Sequence, residues 1–226
     1  MKLWLIVLLV WPLMGRDLYI WPGKFIVSPG ERIVVLFNGG DTLPESDDSL
    51  NMNLLRDYNL LSPRANYTIR HLHVDGRSIA GRVRIPRKGE FLLTGRLNPQ
   101  TIGRETSREF AKSILFADES TDQYRHFVGF DLEIVPRKDP YALHAGDSLP
   151  VQVIWHGKPA PGLSVDAAHT AGKPAEPSVI GTTGPDGRIA IPIRETGMWR
   201  LRAIARQQNA QGGEDIDRAS LTFAVR

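Results

Sequence analysis

His71 and His73 stand two residues apart in the run Arg70-His71-Leu72-His73-Val74-Asp75. On an extended strand alternate side chains share a face, so both imidazoles could turn toward one divalent transition metal. Asp75 lies just beyond them, and His126 could join only through folding. Two ligands do not complete a site, and the same spacing fits two half-buried strand histidines with ordinary hydrogen bonds. The metal assignment therefore rests on His71 and His73 alone.

Other chemistry is thinner. His144, His156 and His169 fall at expected turns or strand ends without fixed spacing and read as surface polar residues. Asp47-Asp48 and Asp118-Glu119 lack the ordered Asp-x-Asp-x-Asp-Gly spacing of a calcium loop and read as solvated loops. The sequence has no Gly-x-Ser-x-Gly elbow, no His-Glu-x-x-His and no phosphate-cradling glycine loop, so a non-enzymatic protein is expected. The absence of cysteine excludes disulfides, thiolate metal sites and cysteine nucleophiles. Trp155 and Trp199 sit within apolar alternations and read as core, not as sugar platforms.

The elements that must position these residues are strands. Leu149, Val151, Val153 and Trp155 alternate with other residues, as do Ile189, Ile191 and Ile193, and then Trp199, Leu201, Ala203 and Ala205. Pro185-Asp186-Gly187 between two of these runs has turn chemistry. Strands are also expected over 24–29, 31–37, 66–74 and 127–135, while 50–61 and 106–116 fit helix or strand equally well. No amphipathic helix of 10–15 residues links the strands, which argues against parallel βαβ units. The expectation is an all-β chain of two antiparallel, sandwich-like domains, immunoglobulin-like or transthyretin-like, following a signal peptide.

The domains expected are 1–15 as signal peptide, 16–136 as a β-rich N-terminal domain and 137–226 as a C-terminal β-sandwich. Pro136-Arg137-Lys138-Asp139-Pro140 reads as a stiff, exposed connector between the last two. Lys2 precedes the apolar run Leu3 to Met14, which is too short for a spanning helix of about 20 residues and suits a signal-peptide core. Cleavage is expected near Gly15–Arg16, giving a periplasmic or secreted protein; an uncleaved run would be an N-terminal anchor. No later segment is long and apolar enough to cross a membrane as a helix.

The net charge is +3, and the arginines alternate with apolar residues instead of forming a stripe. In Met198-Trp199-Arg200-Leu201-Arg202-Ala203, for example, Arg200 and Arg202 are expected on a solvated face, with no nucleic-acid partner.

Several segments resemble one known family. They are Gly129-Phe130-Asp131-Leu132-Glu133-Ile134-Val135-Pro136, the run Asp139 to Val151, Asp186-Gly187-Arg188, Gly197-Met198-Trp199 and the terminal Ala219-Ser220-Leu221-Thr222-Phe223. Together they resemble the DUF4198 family, also described as periplasmic components related to cobalt and nickel uptake. Asp17-Leu18-Tyr19-Ile20-Trp21-Pro22 looks like a degraded form of the family's His-Asp-Phe-Trp-Leu-x-Pro opening. The resemblance implies an exported accessory protein that binds or delivers a divalent metal near a membrane transporter. Arg16 stands where the family usually has His, and its permanent positive charge repels a cation. The alternative carried by the residues is an envelope module that binds a protein or glycan and has no metal role.

Overall fold

Apolar residues at period two need a second layer to cover one face, and Gly and Pro punctuation keeps each strand short. The result, in a computed structural model describing residues 17–118 and 126–226, is a chain built almost wholly of strands. The expected signal peptide and its cleavage site at Gly15–Arg16 lie outside the described residues. The first half contains β1 (Leu18–Pro22), β2 (Arg32–Gly39), β3 (Leu55–Ser62), β4 (Ala65–Thr68), β5 (Arg70–Asp75), β6 (Ser78–Arg84), β7 (Gly89–Leu97), β8 (Gln100–Ile102) and β9 (Glu105–Ala117). The second half contains β10 (Leu132–Pro136), β11 (Ser148–Trp155), β12 (Lys158–Pro159), β13 (Ser164–Thr170), β14 (Ser178–Thr182), β15 (Arg188–Pro192), β16 (Gly197–Gln208) and β17 (Glu214–Val225).

Three sheets result. One has the order β1-β2-β6-β5; another places β10, β12 and β15 around β11; the third is nine-stranded, in the order β14-β13-β16-β17-β9-β7-β3-β4 with β8 against β9. Among the described strands pairing is antiparallel except between β17 and β9, which run parallel from Asp215–Thr106 to Thr222–Ser113. That parallel pair joins the two halves of the chain in one sheet.

Each small sheet covers its own stretch of the long one. Ile20, Val35, Phe37, Ile79 and Val83 pack against Leu60, Phe91, Leu93 and Leu115. Ile134, Leu149, Val151, Val153 and Ile191 pack against Val165, Leu201, Ala203, Leu221 and Phe223. The period-two expectation holds here: Ile191 and Ile193 are buried, and Ile189 packs partly buried against the same core.

β1 and β9 serve both cores. Leu18 and Ile20 enter the first while Tyr19 and Trp21 enter the second; Ala111 and Leu115 enter the first while Phe110 and Ile114 enter the second. A strand buried on both faces shows no alternation. That is why 106–116, which carries the helix formers Ser107 to Lys112, becomes strand: packing overrides local propensity.

Other boundaries move for identifiable reasons. Residues 24–29 form only a bridge at Ile26, and the strand lies earlier, at β1. In 50–61 a 3-10 turn (Met52–Leu54) precedes β3. The stretch 66–74 breaks at buried Ile69 into β4 and β5. Within 127–135 only β10 is strand, because the amides of Val128, Gly129 and Phe130 turn toward the Glu133 carboxylate. At the expected connector, Arg137 and Lys138 are exposed, but Pro140 is buried at the start of a short 3-10 turn (Pro140–Ala142).

Candidate functional site

β5 is an edge strand, and His71 and His73 are both exposed on it. They are not related by simple alternation. Arg70 pairs with Arg82 and His73 with Ala80, so His71 and Leu72 together oppose Gly81 in a β-bulge. His71 takes the left-handed conformation, φ 56. Gly81 permits the bulge: a Cβ there would meet Ile69 Cγ2 at 2.5 Å and Leu72 Cδ2 at 2.9 Å. His73 Nδ1 lies 3.0 Å from the His71 carbonyl, a hydrogen bond that fixes the tautomer with Nδ1 protonated.

Among the described residues no third ligand is brought to the pair. His126 instead contacts Glu90, and among the described residues no three His, Asp or Glu side chains gather where they could hold a metal. The surroundings are also of the wrong sign. His71 lines a groove with Arg32, Arg70, Arg82 and Arg84. A divalent cation there would meet several fixed positive charges, and two imidazoles give little to offset that repulsion. The residues present do not fit a divalent metal.

The buried ionisable groups are engaged elsewhere. Lys112 and Glu133 form an ion pair at 2.5 Å, with side chains 2% and 0% exposed. The same carboxylate accepts from the amides of Val128 at 2.7 Å, Gly129 at 2.8 Å and Phe130 at 3.3 Å. Burial lowers the Lys112 pKa, against the pull of Glu133.

A second network ties the start of β1 to the long sheet. Asp17 is buried between Arg202 and Arg218. Arg218 also reaches Glu109 at 3.2 Å, and Arg202 reaches Asp166 at 2.8 Å. Arg200 is 1% exposed; it donates to the carbonyls of Gly40 at 2.9 Å and Asp41 at 2.6 Å and lies 4.9 Å from the Tyr19 ring centre. The solvated face expected for Arg200 and Arg202 is thus corrected. These side chains do alternate with the core residues Trp199, Leu201 and Ala203, but β1 and the loop at 40–41 cover them. Sequence offered only one hint, the carboxylate of Asp166 on the neighbouring strand, because Asp17 and Asp41 are more than a hundred residues away.

The remaining sequence candidates are peripheral or packed. His144 is exposed beside Asp147, and His169 Nε2 meets the Thr196 carbonyl at 2.8 Å. His156, also at positive φ, lies 3.8 Å from Asp217. Trp199 is buried, while Trp155 is half-buried and donates its indole N–H to Asp217 at 2.8 Å.

A family model described as a domain of unknown function, DUF4198, matches residues 13–207. No curated protein matches the chain. Among solved structures, the chain is similar to the D0-D1 domain of intimin at 14% identity and TM-score 0.28, covering 92% of this chain and 97% of that one. It is similar to the adhesin InvE of Yersinia pseudotuberculosis at 12% identity and TM-score 0.27, covering 92% and 58%. A DUF4785 family protein of Legionella pneumophila is similar at 10% identity and TM-score 0.34, covering 81% and 52%.

Proposed function

The chain belongs to the DUF4198 family, and from that premise we propose that it is an exported, non-catalytic binding module acting outside the cytoplasm. The observation that carries this reading is where the polar side chains are spent. Glu133, Lys112, Glu109, Asp17 and Arg218 are buried and bonded to one another or to backbone amides, where they brace the sandwiches. What remains exposed is a rigid sheet face and its end loops, the surfaces such scaffolds use for recognition.

A cut at Gly15–Arg16 would leave buried Asp17, its ion pairs and β1 in the mature chain. Among the described residues no helix is long and apolar enough to cross a membrane. Expressed with its leader, the chain is expected in the envelope fraction with a mass starting at Arg16, and that product is expected to retain an envelope protein or glycan in pull-downs. An intact leader on cytoplasmic protein, or no partner recovered, counts against the reading.

The accessory role in cobalt or nickel uptake implied by the resemblance would need His71 and His73 to hold a cation within an arginine-lined groove. Calorimetric titration of the mature chain with nickel, cobalt, zinc and copper is expected to give nothing tighter than high micromolar. Tighter binding that disappears in His71→Ala and in His73→Ala would reinstate the metal role.

A further inference from the structure

The outward face of the β1-β2-β6-β5 sheet carries four exposed arginines. Arg32 stands directly opposite Arg84, and Arg70 directly opposite Arg82. Residues two apart on a strand point the same way, so these are two rows about 7 Å apart. Like charges placed directly across a sheet destabilise it. Among the described residues, none of the four is within ion-pair distance of a carboxylate; Arg84 Nε donates to the Gly30 carbonyl at 3.3 Å. With Tyr67 and His71 the arginines line a groove of about 650 Å³, within the range of small-ligand sites. His71 is held there in a left-handed conformation, a strain that clusters at ligand sites.

A face that opposes its own charges and excludes cations is suited to a multiply charged anion. Guanidinium groups match phosphate oxygens in geometry as well as sign, through paired N–H donors. We propose that this groove binds a small ligand carrying two or more phosphate groups, one seated on each arginine row, with the Tyr67 hydroxyl and the His71 imidazole at its edge. The proposal rests on the binding-module reading and adds a small anionic ligand to the envelope partner expected there. Negative charge there would relieve both like-charge pairs at once, so binding also strengthens the sheet.

The probe is inorganic tripolyphosphate, titrated into the mature chain by calorimetry at low ionic strength, with inorganic phosphate for comparison. Tripolyphosphate is expected to bind at least about tenfold more tightly than phosphate, to weaken with salt, and to raise the melting temperature. Arg82→Gln is expected to weaken it by about tenfold, and Arg82→Gln with Arg84→Gln to abolish it. Arg194→Gln, on the other sandwich, is expected to change nothing. Without ligand, Arg82→Gln is expected to melt at or above the parent temperature, because one repulsive pair is gone; this separates lost binding from lost folding. Parent-like affinity in Arg82→Gln, or equal weakening by Arg194→Gln, would overturn the proposal. So would tighter binding of phosphatidylglycerol vesicles or duplex DNA through the same arginines, which would give the face to a macromolecule. A chain that ignores tripolyphosphate yet still captures an envelope partner would refute the ligand class and leave the binding-module reading standing.

Discussion

Glu133→Ala is expected to lower the unfolding free energy by about 3–5 kcal/mol, the range for removing one partner of a buried ion pair. The carboxylate is a hub. It accepts from Lys112 at 2.5 Å and from three successive backbone amides, and Lys112 also donates to the His126 carbonyl at 2.6 Å. Truncation leaves an ammonium with almost no solvent access and three part-buried N–H groups without their acceptor. Glu133→Gln keeps the shape and part of the amide bonding, so its cost should be smaller. Lys112→Met combined with Glu133→Leu should cost clearly less than the two single changes added together, because the double variant leaves no unpaired charge. Urea unfolding followed by tryptophan fluorescence measures the parent and all five variants. A Glu133→Ala midpoint equivalent to a loss below about 1 kcal/mol would show that water or another group replaces the pair.

How far the sequence foretells these features depends on whether a strand has one buried face or two. β11 and β15 turn one apolar face to the core, and the alternation at 149, 151 and 153 and at 189 and 191, continued at 193, locates them directly. β1 and β9 bury both faces, so the same criterion has nothing to detect, and the parallel β9–β17 pairing that unites the halves leaves no local mark. The site is harder still to read. The alternation of Arg82 and Arg84 with Val83 correctly implies an outward face, but that Arg32 and Arg70 join them depends on the strand order β2-β6-β5. The His71 bulge depends on Gly81 in the neighbouring strand, and so the strict alternation that paired His71 with His73 fails at that point. Arg200 and Arg202 read as solvent-facing for a similar reason: a pattern along one strand cannot reveal a cover contributed by residues 17–41.

Stability is expected to fall as pH rises from about 4 to about 8, and Glu109 is the main cause. Burial pushes its carboxyl up to about 7, against the pull of Arg218 and the hydrogen bonds from Ser107 at 2.9 Å and the Leu18 amide at 3.4 Å. A carboxyl whose folded pKa lies above its unfolded value near 4.5 binds its proton more tightly in the fold. Its contribution is therefore fully present below the unfolded value and is lost as pH climbs through about 7. At about 1.4 kcal/mol per pH unit the effect is on the order of 3 kcal/mol. Asp166, raised to about 6 by burial and by nearby Asp41, acts in the same direction over a lower window. Glu109→Gln removes the charge while Arg218 keeps Asp17 as partner. The variant should therefore match or exceed the parent at pH 8 and lose most of the slope between pH 5 and 8; adding Asp166→Asn should flatten what remains below pH 6. Urea midpoints across this range decide the matter. A Glu109→Gln profile parallel to the parent's would mean that Glu109 stays ionised in the fold, with the Asp17–Arg218–Glu109 cluster a fully compensated charge network.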